Sequence, residues 1–291
     1  MNMTLSDVLD DWPLWGLSKS PIEADQVCVL EGGLTNTCYQ LSLASGEYII
    51  RISAENTQAL GIDRTVEKTI HQLVSSLNFT SAIRYCDDED RYWIRDYIAG
   101  EVLADNTDFS DGSPSSGLIS YSILTYMVEQ LKALHQIPVE INLPVVNIAE
   151  KAQAYWQMIE AKQPDNDIVK MKPLMQVAMT EPPAGEFCLC HLDPVLANWL
   201  YTAEGLQLLD WEYAGFAHPL WDLAALFQGI KQSFKASEKE LLTDSQPKNE
   251  EDLENQILSL YGVTDLVAWR RACVQMEYLS SLWYQAQGKT P

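Results

Sequence analysis

Hydrophobic positions follow strand-type patterns over the first hundred residues of the chain. Two such runs, at 38–43 and 48–53, are separated by the turn ASGE and predict an antiparallel hairpin. The next stretch, 61–77, has apolar residues at helical spacing, and a second pair of strands in 82–98 turns through the acidic letters DDED. This order predicts a small lobe of antiparallel sheet with one main helix.

The pattern becomes helical after a polar segment at 105–117, whose Asp, Ser, Gly and Pro content predicts a linker or surface loop. The stretch 118–137 carries Leu124, Met127, Leu131 and Leu134 on one face and is followed by a proline. Four further helices are predicted, at 148–161, 221–234, 250–262 and 265–287. We therefore expect an α+β protein with two lobes, a small N-terminal one at 1–99 and a larger, mostly helical C-terminal one at 100–291.

Charge and composition narrow the possible partners. The net charge is −22, from 41 acidic and 19 basic residues, so the protein should repel nucleic acid and attract small cations, although acidity also serves solubility. No apolar run approaches the roughly 20 residues that span a bilayer, and the first residues lack the pattern of a secretion signal. We expect a cytoplasmic protein, away from the membrane, whose six scattered cysteines are reduced thiols. The oligomeric state stays open.

Polar residues that could take part in catalysis or metal binding are concentrated in one segment, LCHLDPVLANWLYTAEGLQLLDWEYA. It contains His191, Asp193, Asn198 and Asp210, each next to apolar residues. These groups either satisfy one another as a structural network or converge on a metal ion and a reacting phosphate. The letters CLCH could indicate a metal cluster, but alternation along a strand would point the Cys and His side chains to different faces.

The pattern His-x-Asp-x-x-x-x-Asn, with a further Asp twelve positions after the Asn, resembles the catalytic and metal-binding segments of a known family. It is similar to the choline, ethanolamine and thiamine kinase branch of the aminoglycoside phosphotransferase family, whose fold is protein-kinase-like and bilobal. The resemblance implies that Asp193 accepts or orients the proton of a substrate hydroxyl. It implies that Asn198 and Asp210 hold Mg²⁺ on the nucleotide, and that His191 braces the loop from behind.

The same resemblance assigns the nucleotide-binding residues of the N-terminal lobe. The segment EGGLTN is similar to the family's glycine-containing loop, in which Gly33, Thr35 and Asn36 would contact phosphates. Arg51 stands where kinases carry a strand lysine that reaches the α- and β-phosphates. Glu67, on the following helix, matches the residue that pairs with it.

The segment WIRDYIAGEVL corresponds to the hinge that binds adenine in this family. The resemblance implies hydrogen bonds from the backbone at Asp96 and Ile98. Arg95 departs from the pattern, because that position is usually apolar, and it leaves the choice between ATP and GTP open. Asp222 matches the carboxylate that supports the catalytic loop, and its position also suits a helix N-cap.

Aromatic residues form the predicted acceptor site. In choline kinases, rings from the corresponding regions surround a quaternary ammonium group, which implies acceptor contacts from Tyr213, Trp221, Glu277 and Trp283. An aromatic stripe at helical spacing is more often part of a plain core. Gly229 stands where choline kinases tend to have an acidic residue, which favours thiamine or another cationic alcohol over choline.

Together these features predict an ATP- and Mg²⁺-dependent kinase that transfers the γ-phosphoryl group to a hydroxyl of a small cationic acceptor. Choline, ethanolamine and thiamine are the candidate acceptors. Two alternatives remain at this point: an aminoglycoside or sugar phosphotransferase of the same fold, and a catalytically silent protein that binds a nucleotide or ligand.

Overall fold

A computed structural model gives the arrangement of most of the chain. It describes residues 3–30, 36–54, 57, 60–104, 119–139, 143–162, 166–236 and 246–288. The described residues form two compact units. The first runs to Ala99, and the second begins at Gly100 and also includes Leu60 and Gly61.

The first unit contains a five-stranded antiparallel sheet. Its strands are β1 (Val27–Leu30), β2 (Asn36–Leu43), β3 (Gly46–Ser53), β4 (Ile83–Cys86) and β5 (Tyr92–Asp96). Their order across the sheet is β1-β2-β3-β5-β4. Leu41, Ile50 and Ile94 are fully buried on it. Both predicted strand pairs are confirmed, because β2 pairs with β3 and β4 pairs with β5.

Three helices accompany this sheet. The predicted helix is α3 (Arg64–Ser76), which begins at Asp63, whose carboxylate accepts hydrogen bonds from two backbone N–H groups of the first turn. Two short helices, α1 (Leu5–Asp10) and α2 (Trp12–Trp15), were not predicted from the hydrophobic pattern. The capping box that begins α1 at Thr4 was a readable signal, but six residues are too few to establish a helical period.

The second unit is larger and mostly helical. Its helices are α4 (Tyr121–His135), α5 (Ile148–Glu160), α6 (Asn166–Thr180), α7 (Pro219–Ala236), α8 (Glu250–Tyr261) and α9 (Leu266–Gln287). Its short strands are β6 (Glu101–Val102), β7 (Cys188–Cys190), β8 (Trp199–Thr202), β9 (Gly205–Leu208) and β10 (Gly215–Ala217). They form a three-stranded antiparallel sheet, β6-β8-β9, and the antiparallel pair β7-β10. A sheet unit followed by a helical unit confirms the α+β class.

All five helices predicted for this part of the chain are present, and α6 is an addition. Its sequence contains Pro173 and lacks a clear apolar stripe, and both features argued against a helix. The predicted linker at 105–117 lies outside the described residues. Among the helices that the structure describes, none combines the length and the apolar character needed to cross a bilayer.

Candidate active site

The loop that follows β7 is fixed by a buried carboxylate. Asp222, in the first turn of α7, accepts hydrogen bonds from the backbone N–H of His191 at 2.8 Å and of Leu192 at 2.6 Å. Leu192 has a φ of 66°, a left-handed conformation that side chains other than glycine rarely adopt. The ring of His135 lies 3.0 Å from the same carboxylate. Asp222 thus holds a strained turn in place.

His191 lies behind this loop. Its Nδ1 accepts a hydrogen bond from the backbone N–H of Asp193 at 3.2 Å, and its Nε2 lies 2.8 Å from the carbonyl oxygen of Leu209. These two contacts fix one neutral tautomer, with the proton on Nε2. Burial lowers the pKa of His191 to about 4, so the ring is uncharged near neutral pH. It connects the loop to the segment that carries Asp210.

Asp193 and Asn198 form a hydrogen-bonded pair. The amide nitrogen of Asn198 donates to the backbone oxygen of Asp193 at 2.8 Å and to its carboxylate at 3.0 Å. Burial raises the pKa of Asp193 well above its ordinary value, and the charge of Asp210 acts in the same direction. The hydrogen bond from Asn198 opposes this shift. The loop therefore presents a carboxylate in a strongly acidic environment.

Two further carboxylates follow β9. Asp210 is exposed and has a φ of 60°, so the chain turns sharply at this residue. Glu212, two residues later, is buried, and its charge also raises the pKa of Asp193. Sequence reasoning assigned no role to Glu212, although its place in the letters DWEYAG was a readable signal.

Four aromatic residues accompany Asp193 in this unit. The indole N–H of Trp283 donates to the phenol oxygen of Tyr213 at 2.7 Å, so these two predicted acceptor residues are together. Burial raises the pKa of Tyr155 and of Tyr284, and the negative charge of Asp193 adds to both shifts. Tyr155 was not predicted as a site residue. Helical spacing on α5 and α9 could not show which faces point toward the loop.

The other two predicted acceptor residues lie elsewhere. Trp221 is only 2% exposed, and its indole N–H donates to the side-chain oxygen of Gln275 at 2.8 Å. Glu277 is exposed on α9. The structure therefore does not bring Trp221 or Glu277 to the Tyr213–Trp283 pair. Trp221 belongs to the core, because α7 turns that side chain toward α9.

In the first unit, Arg51 and Glu67 form the predicted ion pair. The two guanidinium nitrogens lie 2.5 and 2.9 Å from the two carboxylate oxygens, and both side chains are buried. Arg64 donates to the same carboxylate at 2.6 Å and to the side-chain oxygen of Asn36 at 2.8 Å. The Arg51 guanidinium also stacks on Trp93, 3.8 Å from the ring centroid.

Charge compensation in this cluster favours the ionised form of Glu67. Burial alone would raise the pKa of Glu67, but the charges and hydrogen bonds of Arg51 and Arg64 outweigh it and hold the pKa below its ordinary value. Arg64 was not predicted, although its i,i+3 spacing from Glu67 was a readable signal. The predicted phosphate contacts Gly33 and Thr35 lie outside the described residues.

The predicted hinge residues end the first unit. The backbone N–H of Asp96 donates to the carbonyl of Ala82 at 3.2 Å, so an adenine contact from Asp96 would have to use its carbonyl group. Ile98 follows β5 in irregular structure. Arg95 donates to the hydroxyl of Ser81 at 3.1 Å. That contact is part of what accommodates a charged residue at a usually apolar position.

Several known proteins are similar to this chain. Protein LicA of Haemophilus influenzae is 22% identical over 250 residues, which cover 82% of this chain and 70% of LicA. A thiamine kinase of Escherichia coli is 29% identical over 139 residues, 47% of this chain and 44% of the enzyme. That match therefore spans less than half of the thiamine kinase.

Solved structures show the same fold. An ethanolamine kinase of Plasmodium vivax superimposes with a TM-score of 0.67 at 18% identity, covering 91% of this chain and 78% of that chain. The choline kinase LicA from Streptococcus pneumoniae has a TM-score of 0.59 at 21% identity, covering 96% of this chain and all of the other. These likenesses confirm the predicted protein-kinase-like fold.

The family model described as the phosphotransferase enzyme family matches residues 26–244, well over half of the chain. The predicted enzyme class, a phosphotransferase with an alcohol group as acceptor, is confirmed, and the family implies nucleotide binding. On this match, the chain belongs to the phosphotransferase enzyme family.

Proposed function

We propose that this protein is an ATP- and Mg²⁺-dependent kinase that transfers the γ-phosphoryl group to a hydroxyl of a small cationic alcohol. The observation that carries the proposal is the Asp193–Asn198 pair on a loop held by Asp222. A carboxylate fixed in this way is suited to orienting a hydroxyl group and receiving its proton.

The donor atoms of the loop region fit a magnesium ion. Both hydrogen bonds that Asn198 makes to Asp193 use its amide nitrogen, so neither occupies the amide oxygen. Asp210 contributes a carboxylate at a sharp turn. Mg²⁺ prefers hard oxygen ligands of these two types, and when bound it would neutralise charge on the nucleotide phosphates. Asn198 and Asp210 are the residues proposed to hold it.

The arginines of the first unit fit a phosphate group. Arg51 and Arg64 place two guanidinium groups on the Glu67 carboxylate. The rigid fork of an arginine favours phosphate oxygens, and Glu67 fixes the orientation of that fork. We assign Arg51 to the nucleotide phosphates, with Asn36 beside Arg64 at the start of β2.

In the reaction, Asp193 aligns the acceptor hydroxyl with the terminal phosphorus of the nucleotide and takes the hydroxyl proton as the new oxygen–phosphorus bond forms. His191 and Asp222 keep the loop in the conformation that presents this carboxylate. The bond between the terminal phosphorus and the oxygen that bridges it to the β-phosphate breaks, and ADP leaves with that oxygen. Because phosphoryl transfer depends on positioning and on charge stabilisation, the rigidity of the loop is itself a catalytic requirement.

A cationic acceptor fits the groups around Asp193. Glu212 and Asp210 add negative charge, and Tyr155, Trp283 and Tyr284 add aromatic rings. Cations interact favourably with both. Choline, ethanolamine and thiamine, after which the related kinases are named, are all cationic alcohols.

The experiment is a measurement of ADP release from ATP with a panel of choline, ethanolamine, thiamine, a sugar and an aminoglycoside. We expect acceptor-dependent release only with Mg²⁺ and only with choline, ethanolamine or thiamine. Asp210→Ala should remove the effect of Mg²⁺ on nucleotide binding measured by calorimetry. An unchanged Mg²⁺ effect in that variant would reject the metal assignment, and release with the sugar alone would reject the acceptor class.

A further inference from the structure

A lysine of the second unit points its ammonium group at one of the aromatic rings near Asp193. Lys151, on the first turn of α5, has its Nζ 5.2 Å from the centroid of the Tyr213 ring. The same nitrogen donates a hydrogen bond to the carbonyl oxygen of Gly61 at 3.0 Å. Gly61 has a φ of 69°, a left-handed conformation that glycine adopts without strain. The ammonium is therefore held from two sides.

The surroundings of this ammonium are partly buried and acidic. The pKa of Lys151 is lowered to about 8. Burial causes this shift, and the negative charge of Glu212 acts against it. At neutral pH most of the population is still charged. One turn later on the same helix, Tyr155 donates to the carbonyl oxygen of Leu60 at 3.3 Å. Lys151 and Tyr155 thus fasten neighbouring carbonyl groups of one short segment.

These contacts together make a complete site for a cation. An aromatic face within about 6 Å, a carbonyl oxygen and a nearby carboxylate are the groups that bind ammonium ligands in proteins. Here the protein's own ammonium occupies the Tyr213 face. A ligand cation that approaches the Tyr213 ring is repelled by the Lys151 ammonium, which already lies where the ring would attract the ligand.

We propose that Lys151 is a specificity-determining residue of the acceptor site, whose ammonium excludes quaternary ammonium groups from the face of Tyr213. This inference rests on the proposed function in taking the acceptor to be a cationic alcohol that binds beside Tyr213. A quaternary ammonium cannot donate to the carbonyl of Gly61, so it cannot replace both contacts of Lys151. Primary ammonium groups, which donate hydrogen bonds, are disfavoured less.

The test replaces the ammonium and keeps the shape of its stem. Lys151→Met retains an unbranched side chain and removes the charge, and Lys151→Arg retains the charge. Tetramethylammonium chloride is the probe, titrated calorimetrically into the full-length protein. We expect Lys151→Met to bind the probe about tenfold more tightly than the wild type, because a cation–π contact of roughly 1 to 2 kcal/mol becomes available. Lys151→Arg should bind like the wild type.

The chain offers a matched control in Lys172. Its Nζ lies 4.5 Å from the centroid of the Trp156 ring, and it forms an ion pair with Glu160. Lys172→Met therefore removes another lysine that stacks on an aromatic ring, with the same change in net charge. Affinity for tetramethylammonium should not change in this variant. An equal gain in both methionine variants would show a general charge effect and overturn the proposal.

Steady-state kinetics provide a second readout. With choline as acceptor, the KM of Lys151→Met should fall about tenfold while kcat stays near the wild-type value, because the lysine acts on binding. Unchanged or weaker binding of tetramethylammonium in a variant with wild-type melting temperature would overturn the proposal. If Lys151→Met is unstable, Lys151→Gln serves the same titration. Absence of any acceptor-dependent ADP release would reject the proposed function, whereas the titration would still decide the role of Lys151.

Discussion

The two units treat buried charge in opposite ways. In the first unit, Glu67 is bonded by both Arg51 and Arg64, and their charges hold its pKa below the ordinary value. In the second unit, the carboxylates of Asp193 and Glu212 lie close enough for one to raise the pKa of the other. The first cluster thus keeps its carboxylate ionised between two cationic partners, whereas the second crowds carboxylates together.

The comparison also separates stability from activity. A buried carboxylate that already has its partners contributes to the folded state, and its loss destabilises the protein. A carboxylate that is crowded by other negative charges costs stability and is retained for chemistry. Substitutions in the first cluster should therefore act mainly on unfolding, and substitutions at Asp193 mainly on turnover.

The largest effect is expected at Asp193. Asp193→Asn removes the proton acceptor and should lower kcat by about 10² to 10⁴, which corresponds to about 3 to 5 kcal/mol in the barrier. Nucleotide affinity measured by calorimetry should stay near the wild-type value, because this side chain is assigned to the acceptor hydroxyl. Asp167→Asn, the same change at an exposed carboxylate on α6, should leave kcat unchanged. Near-wild-type turnover of Asp193→Asn would eliminate Asp193 as the base.

The second largest effect is expected at the buried ion pair of the first unit. Arg51→Met should lower the free energy of unfolding in urea by about 3 kcal/mol, the lower end of the range for breaking a buried pair, because Arg64 still neutralises Glu67. Arg51→Lys should recover only part of the loss, because one ammonium nitrogen keeps the positive charge but cannot reproduce the two parallel hydrogen bonds of the guanidinium fork. A loss below about 1 kcal/mol, the range of exposed pairs, would contradict the role of burial.

The members of the buried cluster around Glu67 were not equally predictable from the sequence. The pair of Arg51 and Glu67 was predictable because a strand residue and a residue on the following helix occupy positions of a recognisable pattern. The third member, Arg64, belongs to no such pattern and shows only a spacing of three residues. Local spacing is consistent with a charge pair in any helix, so it could not single out this one.

The aromatic residues show where prediction from the chain ends. Trp221 and Trp283 looked equivalent in the sequence, yet one is buried against Gln275 and the other contacts Tyr213. Which way a helix face points depends on tertiary packing, and helical periodicity does not carry that information. The contact between Lys151 and Tyr213 could not be predicted either, because the two residues are 62 positions apart along the chain.

Each unit contains a buried histidine with a strongly lowered pKa, His71 in the first and His191 in the second, and these two provide a pH-dependent comparison. Burial lowers the pKa of His71 and of His191 from 6.5 to about 4. The unfolded chain therefore binds protons that the folded protein refuses, and stability present above pH 6.5 is lost as the pH falls toward 4. Each histidine should account for about 2 kcal/mol at pH 5. Urea unfolding at pH 7 and pH 5 measures this loss.

The variants His71→Gln and His191→Gln separate the two contributions. Each should reduce the difference in unfolding free energy between pH 7 and pH 5 by about 2 kcal/mol, whatever its effect at pH 7. If only one variant does so, the other histidine exchanges protons with solvent in the folded state. Equal effects would show that both units exclude charged imidazole to the same degree.

The smallest effect is expected at an exposed ion pair in the first unit. Arg84 donates to the Asp96 carboxylate at 2.7 Å, and these side chains are 52% and 32% exposed. Solvent screens such pairs, so Arg84→Ala should change the unfolding free energy by only about 0.2 to 1 kcal/mol, and less at high salt. Comparing this loss of unfolding free energy with that of Arg51→Met measures how much burial strengthens an ion pair in the first unit. If Arg84→Ala proves as costly as Arg51→Met, burial does not distinguish the two pairs.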